Sequence, residues 1–300
     1  MKDHGRLAIV PSALLLASGL SLANDVPADV PLVTLPDTSR HLLHSDEMNQ
    51  TFQIDVAVPP RLATASADSH PVVYLVDGNG LFPLVYANTR ALQRGSEMEP
   101  VIIVGIGYPV GEPFEIGALR TRDLTPTEDK AFEDKMNNSG LPLRTAVRTG
   151  HAGKLAAFVE NELKPFINAR YPVDTDNEIF AGYSLGGLFG LYVLFHHAHL
   201  FDKYVLGSPS IWWDQSVSFA YEDAYARQHK VLEKSVFISS GTADLEMMVT
   251  GAQAMYKRLV DRAYEGLDVK YVEFEGETHS SGIGVALNRG IKYVASNREE

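Results

Sequence analysis

A G-x-S-x-G motif at residues 182–186 places Ser184 between two glycines, and it is the only such motif in the sequence. The apolar run 179–181 precedes it and the strongly apolar segment 185–197 follows it, which predicts a strand, a sharp turn and a helix. A serine in that turn is a candidate nucleophile, because the glycines allow strand and helix to approach closely. The amide of Leu185, at the start of the helix, would stabilise negative charge that develops beside the serine. A plain glycine-rich turn is the alternative interpretation.

A serine hydroxyl needs a base, and the sequence contains ten histidines. In the chain order nucleophile, acid, base, the histidine follows the last strand of the sheet. His279 lies five residues beyond the apolar run 269–274, so it is the predicted base. The orienting carboxylate is expected after the run 236–239, where Asp244 and Glu246 are both candidates. We favour Asp244 and keep Glu246 as the alternative acid, and a serine–histidine pair without either carboxylate also fits the sequence.

The composition excludes several other chemistries. Cysteine is absent, so a thiolate nucleophile, a disulfide framework, a zinc–cysteine cluster and an iron–sulfur centre are all excluded.

His196, His197 and His199 have a spacing that would suit a metal ion, but we favour hydrogen bonds to the last carbonyls of a helix. The glycine-rich segment 77–80 follows the apolar run 72–76 and is a candidate for a second oxyanion donor, although an ordinary turn explains it equally well.

The charge balance restricts the partners. The chain carries 26 lysines and arginines against 38 acidic residues, a net charge of −12, which argues against a broad nucleic-acid or anionic-membrane surface. A small-molecule enzyme or a soluble binding protein remains. Arg120 and Arg122 are a local exception and are candidates for contact with an anionic substrate. A structural ion pair, of Arg122 with Asp123 or another acid, is the favoured alternative.

The first 23 residues have the features of a secretory signal peptide. Lys2 and Arg6 precede the apolar run 7–22, and small residues follow at the expected cleavage position. The run is short and contains proline and glycine, so a membrane span is not expected. We therefore predict an exported protein, periplasmic or secreted, with residues 24–300 forming a single domain. A frayed N-terminal helix and a lipid-free anchor are the alternatives.

Short runs rich in β-branched and aromatic residues alternate with helical patterns along the chain. They predict an α/β fold with a mostly parallel, doubly wound sheet. Residues 50–58 alternate apolar and polar, as in a half-exposed antiparallel strand at the N-terminal edge. Residues 107–150 show no convincing period and are expected to form a long insertion or partial lid over the C-terminal edge of the sheet. The remaining strands are expected at 72–76, 101–106, 179–182, 204–207, 236–239 and 269–274, and helices at 154–169, 185–197, 246–264 and 282–295.

Four motifs then stand in a recognisable order. They are YLVDGN at 74–79, RDLTP at 122–126, GYSLGGL at 182–188 and SPSIWWD at 208–214. Together they resemble the esterase D-like branch of the α/β-hydrolases, in the subgroup of ferric-siderophore esterases that cleave enterobactin and salmochelin. The resemblance extends over residues 40–295. It implies an α/β-hydrolase fold and serine esterase chemistry, with a small-molecule ester as substrate and with neither a metal ion nor a cofactor.

The resemblance also assigns roles to individual residues. Ser184 matches the nucleophile and His279 the base, while Asn79 and Leu185 match the two oxyanion donors. Trp212 and Trp213, in the last motif, would lie at the same sheet edge and are candidates for the wall of a substrate pocket, although a tryptophan that is simply buried is an equal alternative for either. The ester itself stays open between a siderophore trilactone and a short-chain or aryl ester. Acyl transfer to a sugar or lipid alcohol, and a non-catalytic binding protein on the same scaffold, are the other hypotheses.

Overall fold

A computed structural model describes residues 33–60 and 69–296. The predicted signal peptide, residues 1–23, lies outside the described residues. Within the described ranges, eight strands form a single sheet in the order β1-β2-β4-β3-β5-β6-β7-β8. The strands are β1 (Thr38–Ser45), β2 (Gln50–Ala57), β3 (His70–Leu75), β4 (Ile102–Gly107), β5 (Val173–Tyr183), β6 (Lys203–Gly207), β7 (Ser235–Gly241) and β8 (Asp268–Phe274).

The sheet is antiparallel at one edge and parallel elsewhere. β2 pairs antiparallel with both β1 and β4, and every pair from β4 to β8 is parallel. This topology is the α/β-hydrolase fold that the sequence predicted. Parallel strands joined by helical crossovers end at the same edge of the sheet, and the segments after β5, β6, β7 and β8 therefore meet there.

Helices cover both faces of the sheet. They are α1 (Gly78–Arg94), α2 (Pro113–Leu124), α3 (Lys130–Asn137), α4 (Ala152–Phe158), α5 (Lys164–Asn168), α6 (Leu185–His196), α7 (Trp213–Gln228), α8 (Glu246–Arg262) and α9 (Gly282–Ala295). A π-helical turn (Val159–Leu163) joins α4 to α5, and these three pieces account for the helix predicted at 154–169. Residues 214–216 of α7 have left-handed backbone angles.

Side chains of β3 divide the core into two layers. Val72 and Tyr74 point into the larger apolar cluster, under α4 to α8, whereas Val73 and Leu75 point into the cluster under α1 and α9. Successive strand side chains alternate between faces, so a strand covered on both sides reads as a continuous apolar run. This is why the central strands were predictable from short apolar segments.

The prediction of a half-exposed edge strand at residues 50–58 is wrong in one respect. β2 is antiparallel, as predicted, but its residues Phe52–Ala57 are buried on both faces. Its polar residues Gln53 and Asp55 can be buried because their side chains are hydrogen-bonded. Gln53 donates to Asp55, and Asp55 also accepts a hydrogen bond from Arg40 of β1. The edge position belongs to β1, which the sequence pattern did not predict.

The segment 107–150 is folded rather than irregular, which corrects the expected long loop. It contains α2 and α3, and Ala118, Met136 and Val147 form a small apolar cluster within it. The buried carboxylate of Glu133 accepts hydrogen bonds from the amide and the hydroxyl of Thr149, both at 2.9 Å, which join α3 to the end of the segment. Its helices were missed because they are short and bury only a few apolar residues.

Helix α6 lies very close to the end of β5. A β-carbon on Gly182 would lie 2.5 Å from the carbonyl carbon and oxygen of Gly186, which are backbone atoms that have no rotamer to change. In contrast, a β-carbon on Gly80, in the first turn of α1, would have no atom within 4 Å apart from its chain neighbours and the backbone of its own helix. The motif glycine is therefore required by the packing of strand against helix.

We expect Gly182→Ala to lower the free energy of unfolding by about 1–3 kcal/mol, because the added methyl group collides with the backbone of α6. Gly80→Ala is the matched control, and it should be neutral or raise the stability by about 0.5–1 kcal/mol because a helical glycine is replaced. Urea unfolding followed by circular dichroism measures both values. A Gly182→Ala protein as stable as the wild type would show that strand and helix are not in such close contact.

Candidate active site

Ser184 occupies a strained turn between β5 and α6. Its backbone angles are φ 60° and ψ −117°, a region that residues with a β-carbon rarely adopt. The Ser184 amide donates to the carbonyl of Gly207 at 2.9 Å, and its carbonyl accepts from the amides of Leu188 at 3.0 Å and Ser210 at 3.1 Å. These bonds hold the turn so that the hydroxyl stands at the carboxyl edge of the sheet.

The imidazole of His279 lies next to this hydroxyl. His279 belongs to the segment between β8 and α9, and its Nε2 is 3.0 Å from Ser184 Oγ. The ring of Tyr183 lies alongside, with its centre 5.2 Å from that of the imidazole. Only 16% of the histidine side chain is exposed. When Nδ1 carries the ring proton, Nε2 is free to accept the hydroxyl proton of Ser184.

Asp244 faces the other nitrogen of the same ring. Its Oδ2 and Oδ1 lie 3.0 and 3.1 Å from His279 Nδ1, and its side chain is completely buried. Burial alone would raise the pKa of this carboxyl group. Hydrogen bonds from His279 and Ser208, the charge of His279 and the amide of Leu245 outweigh burial, and the pKa of Asp244 is lowered. The carboxylate is therefore ionised at neutral pH and keeps the proton of the imidazole on Nδ1.

Only one of the two candidate acids faces His279. Asp244 lies in the segment after β7, whereas Glu246 is the first residue of α8 and its side chain is exposed to solvent. The serine, the histidine and Asp244 thus meet from three separate segments. The sequence singled out Ser184 and His279 and favoured Asp244 over Glu246, and their order along the chain was the signal.

Two backbone amides stand at the beginnings of helices that follow strands of the sheet. Leu185 and Asn79 stand in the first turns of α6 and α1, where amides have no acceptor within the helix. The side chain of Asn79 is already used: its Nδ2 donates to the carbonyl of Tyr108 at 2.8 Å, and its Oδ1 accepts from the Tyr108 amide at 2.7 Å. If Asn79 is an oxyanion donor, its backbone N–H is the donating group.

The guanidinium of Arg120 is not available to a substrate, which contradicts one sequence expectation. It donates from Nε and Nη2 to the two oxygens of Asp77 at 2.7 and 2.8 Å, and the residue is only 6% exposed. Asp77 precedes α1 and has a left-handed φ of 60°. The ion pair therefore fixes the turn that carries Asn79, so Arg120 acts on the site through that turn.

Arg122 is likewise occupied by acceptors inside the protein. It donates from Nε to the fully buried Asp123 at 2.6 Å, and Nη2 donates to Asp123 and to Gln50. The second oxygen of Asp123 also accepts from the hydroxyl of Tyr108 at 3.0 Å. The structure thus contains the ion pair of Arg122 with Asp123 that the sequence favoured. The other possibility, contact of Arg122 with a substrate, is contradicted.

The two tryptophans have different environments. Trp213 is completely buried, its indole Nε1 donates to Thr127 Oγ1 at 3.0 Å, and it packs edge-on against Phe132. It anchors the segment 107–150, and the expectation that it lines a substrate pocket is wrong because no part of it is accessible. Trp212 is only partly buried and packs against the Trp213 ring, so it remains a candidate wall.

Ser208 and Ser210 were missed by the sequence analysis. The hydroxyl of Ser208 donates to Asp244 Oδ2 at 2.5 Å, and the hydroxyl of Ser210 lies 3.3 Å from Ser184 Oγ. Both belong to the SPSIWWD motif, which follows β6 directly. The available signal was this position after a parallel strand, since it places the motif at the same edge as Ser184.

The part of the chain that the structure describes contains no group of three or more His, Cys, Asp or Glu side chains arranged to hold a metal ion. His196 contacts the carbonyl of Tyr192 through Nδ1 at 3.1 Å, in line with the favoured interpretation of this helix end, and His199 contacts Glu160.

Within residues 33–60 and 69–296, no helix is both long enough and apolar enough to span a membrane.

Comparison with known proteins shows the family to which the chain belongs. The protein family described as "Putative esterase" matches residues 45–288. The ferri-bacillibactin esterase BesA of Bacillus subtilis is 30% identical over 270 residues, covering 87% of this chain and 90% of the relative. The siderophore enterobactin esterase of Emericella nidulans is 29% identical over 280 residues, covering 82% and 89%.

Solved structures give the same result. The BES protein of Bacillus cereus superposes with a TM-score of 0.76 at 29% identity, over 89% of this chain and 98% of that one. An IroE-like serine hydrolase from Shewanella oneidensis gives a TM-score of 0.73 at 25% identity, over 86% and 80%. The chain therefore belongs to this esterase family, in the subgroup that contains the siderophore esterases. It is a carboxylic ester hydrolase, as the sequence resemblance predicted.

Arg120→Ala should lower the free energy of unfolding by about 3–5 kcal/mol, because the carboxylate of Asp77 is left buried without its partner. The matched control is Lys257→Ala, which breaks the exposed ion pair with Asp261 and should change stability by less than about 0.5 kcal/mol. Denaturant unfolding gives both values. An Arg120→Ala protein with unchanged stability but a raised KM would instead identify Arg120 as a substrate contact.

Proposed function

We propose that this esterase cleaves its substrate through an acyl-enzyme on Ser184, with His279 as the general base and Asp244 as the residue that orients it. The observation that carries the proposal is the continuous contact from Ser184 Oγ to His279 Nε2 at 3.0 Å and from His279 Nδ1 to Asp244 Oδ2 at 3.0 Å. Both distances suit hydrogen bonds and proton transfer.

In the first half of the reaction, Ser184 Oγ attacks the ester carbonyl carbon while its proton passes to His279 Nε2. The carbonyl oxygen becomes negatively charged in the tetrahedral intermediate. The backbone amides of Leu185 and Asn79 are the proposed donors to this oxygen, supported by their position at two helix N-termini. The intermediate then expels the alcohol, which takes the proton from His279 and leaves the acyl group on Ser184.

In the second half, a water molecule attacks the acyl carbon and His279 Nε2 takes its proton. Collapse of the second intermediate breaks the bond to Ser184 Oγ, which recovers its proton from the imidazole, and the acid is released. Asp244 stays ionised throughout. Its charge stabilises the imidazolium in each half and keeps the neutral ring in the tautomer that can accept from a hydroxyl.

We further propose that the substrate is the ester of a siderophore, such as a trilactone. The proposal is supported by relatives named for esterase action on ferri-bacillibactin and enterobactin, and by the surroundings of the site. Next to Asp244, Leu245 is 44% exposed and Met247 is 38% exposed, and Trp212 is partly exposed beyond Ser210. Apolar side chains open to solvent in the segments that carry Asp244 and Ser210 suit a large ligand with aromatic groups.

We also propose that the protein is exported as a mature chain of residues 24–300. The support is the basic and apolar pattern of the first 23 residues, together with the absence of cysteine. N-terminal sequencing of the protein from periplasmic and culture fractions should find Asn24 as the first residue. Recovery of the intact N-terminus from the cytosol would contradict export.

Ser184→Ala should lower kcat for p-nitrophenyl acetate by at least about 1,000-fold, because the attacking oxygen is removed. Ser218→Ala is the control, since it also removes a serine hydroxyl but at a buried position in α7, where that hydroxyl has no hydrogen-bond partner within the described residues. Release of nitrophenol measures both rates. Full activity of Ser184→Ala would refute the mechanism.

A trilactone such as enterobactin should have a kcat/KM at least about tenfold above that of p-nitrophenyl butyrate, because the larger ester has more contacts in the transition state. Its ferric complex should be cleaved more slowly, since the net charge of −12 and the pairing of Arg120 and Arg122 oppose binding of a trianion. Chromatographic assay of the linear products compares all three substrates. Activity on the simple ester without any on the trilactone would refute the siderophore proposal and leave the serine mechanism intact.

A further inference from the structure

Ser208 is a fully buried serine in the first position after β6. Its φ is 37°, in the left-handed region, although it is not glycine. Its amide donates to the carbonyl of Ser239 at 2.7 Å and so extends the bonding between β6 and β7 beyond the last paired residue of β6. The backbone is thus fixed in an unfavourable conformation, which persists only where surrounding contacts require it.

The contact that this conformation makes possible is with Asp244. The Ser208 hydroxyl lies 2.5 Å from Asp244 Oδ2, and because Asp244 is ionised the hydroxyl must be the donor. The same oxygen atom of Ser208 is 3.5 Å from His279 Nδ1. Ser208 therefore stands where the carboxylate and the imidazole meet, on the side away from Ser184 Oγ.

The carboxylate of Asp244 is held at both oxygens by groups other than the histidine. Ser208 bonds to Oδ2, and the amide of Leu245 donates to Oδ1 at 2.7 Å. With both oxygens fixed, the plane of the carboxylate cannot rotate, and it presents both oxygens to His279 Nδ1 at nearly equal distances of 3.0 and 3.1 Å. The bond to Leu245 is local and would remain if the serine hydroxyl were absent, but it fixes one oxygen only.

We propose that Ser208 is a positioning residue for the reaction: its hydroxyl holds the Asp244 carboxylate in the orientation that directs His279 toward Ser184. This inference rests on the proposed function, because it assumes that His279 is the base. It also explains why the first serine of the SPSIWWD motif adopts a left-handed backbone. The conformation turns the side chain toward β7 and its following segment.

Two variants that both remove the hydroxyl test the proposal. Ser208→Ala keeps the β-carbon, and Ser208→Gly relieves the left-handed backbone and so is expected to fold even if the alanine variant does not. Each should lower kcat by about 10- to 100-fold, as for loss of a hydrogen bond to a charged group, with KM changed less than about twofold. Ser218→Ala again serves as the control for removal of a buried serine hydroxyl.

A double-mutant cycle with Asp244→Ala shows whether Ser208 acts through the carboxylate. In that background Ser208→Ala should cause no further loss of kcat, because there is no carboxylate left to hold. A multiplicative loss would overturn the proposal, and so would wild-type kcat in either Ser208→Ala or Ser208→Gly. Failure of the proposed function has a different result, namely an active Ser184→Ala protein, so the two failures can be told apart.

Discussion

The strained backbone of Ser184 is the constraint on which the site depends. Its backbone angles are φ 60° and ψ −117°, and three hydrogen bonds hold them. The Ser184 amide donates to the Gly207 carbonyl, and the Ser184 carbonyl accepts from the amides of Leu188 and Ser210. One of these bonds comes from α6 and two from the end of β6 and its following segment. The conformation that exposes the hydroxyl is therefore stable only if β5, β6 and α6 pack together, and the close contact at Gly182 is part of that packing.

The parallel half of the sheet makes the rest of the arrangement possible. β5, β6, β7 and β8 are neighbours in register, so the residues that follow them meet at one edge. The segments that follow β5, β6, β7 and β8 contribute Ser184, Ser208, Asp244 and His279, in that order across the sheet. A charge at Asp244 is tolerated in this buried position because hydrogen bonds from two side chains and one amide compensate for the lost water. The site is thus built from strand ends rather than from one continuous segment.

The sequence predicted those features that depend on local pattern or on chain order. Ser184, Asp244 and His279 followed from a motif and from the order of strands, and the buried strands followed from short apolar runs. Features that depend on a partner distant in the chain were not predictable. The sequence does not show that Arg120 is paired, because its partner Asp77 lies 43 residues earlier in the chain. Helices α1 and α2 were missed because glycine and proline at their beginnings interrupt the pattern. Helix α3 has only eight residues, and α7 buries few apolar side chains, so neither shows a clear period.

The proposed mechanism requires that the hydroxyl of Ser184 becomes covalently modified, with His279 as its base. Mass spectrometry of peptides from the enzyme inactivated by a fluorophosphonate tests it directly, because such a reagent forms a stable bond with the serine that attacks it. We expect one phosphonyl group per chain, on the peptide that contains Ser184. Ser208, whose hydroxyl is 2.5 Å from Asp244 Oδ2, and Ser210, whose hydroxyl is 3.3 Å from Ser184 Oγ, should stay unmodified. Inactivation with the adduct on another residue, or without any adduct, would contradict it.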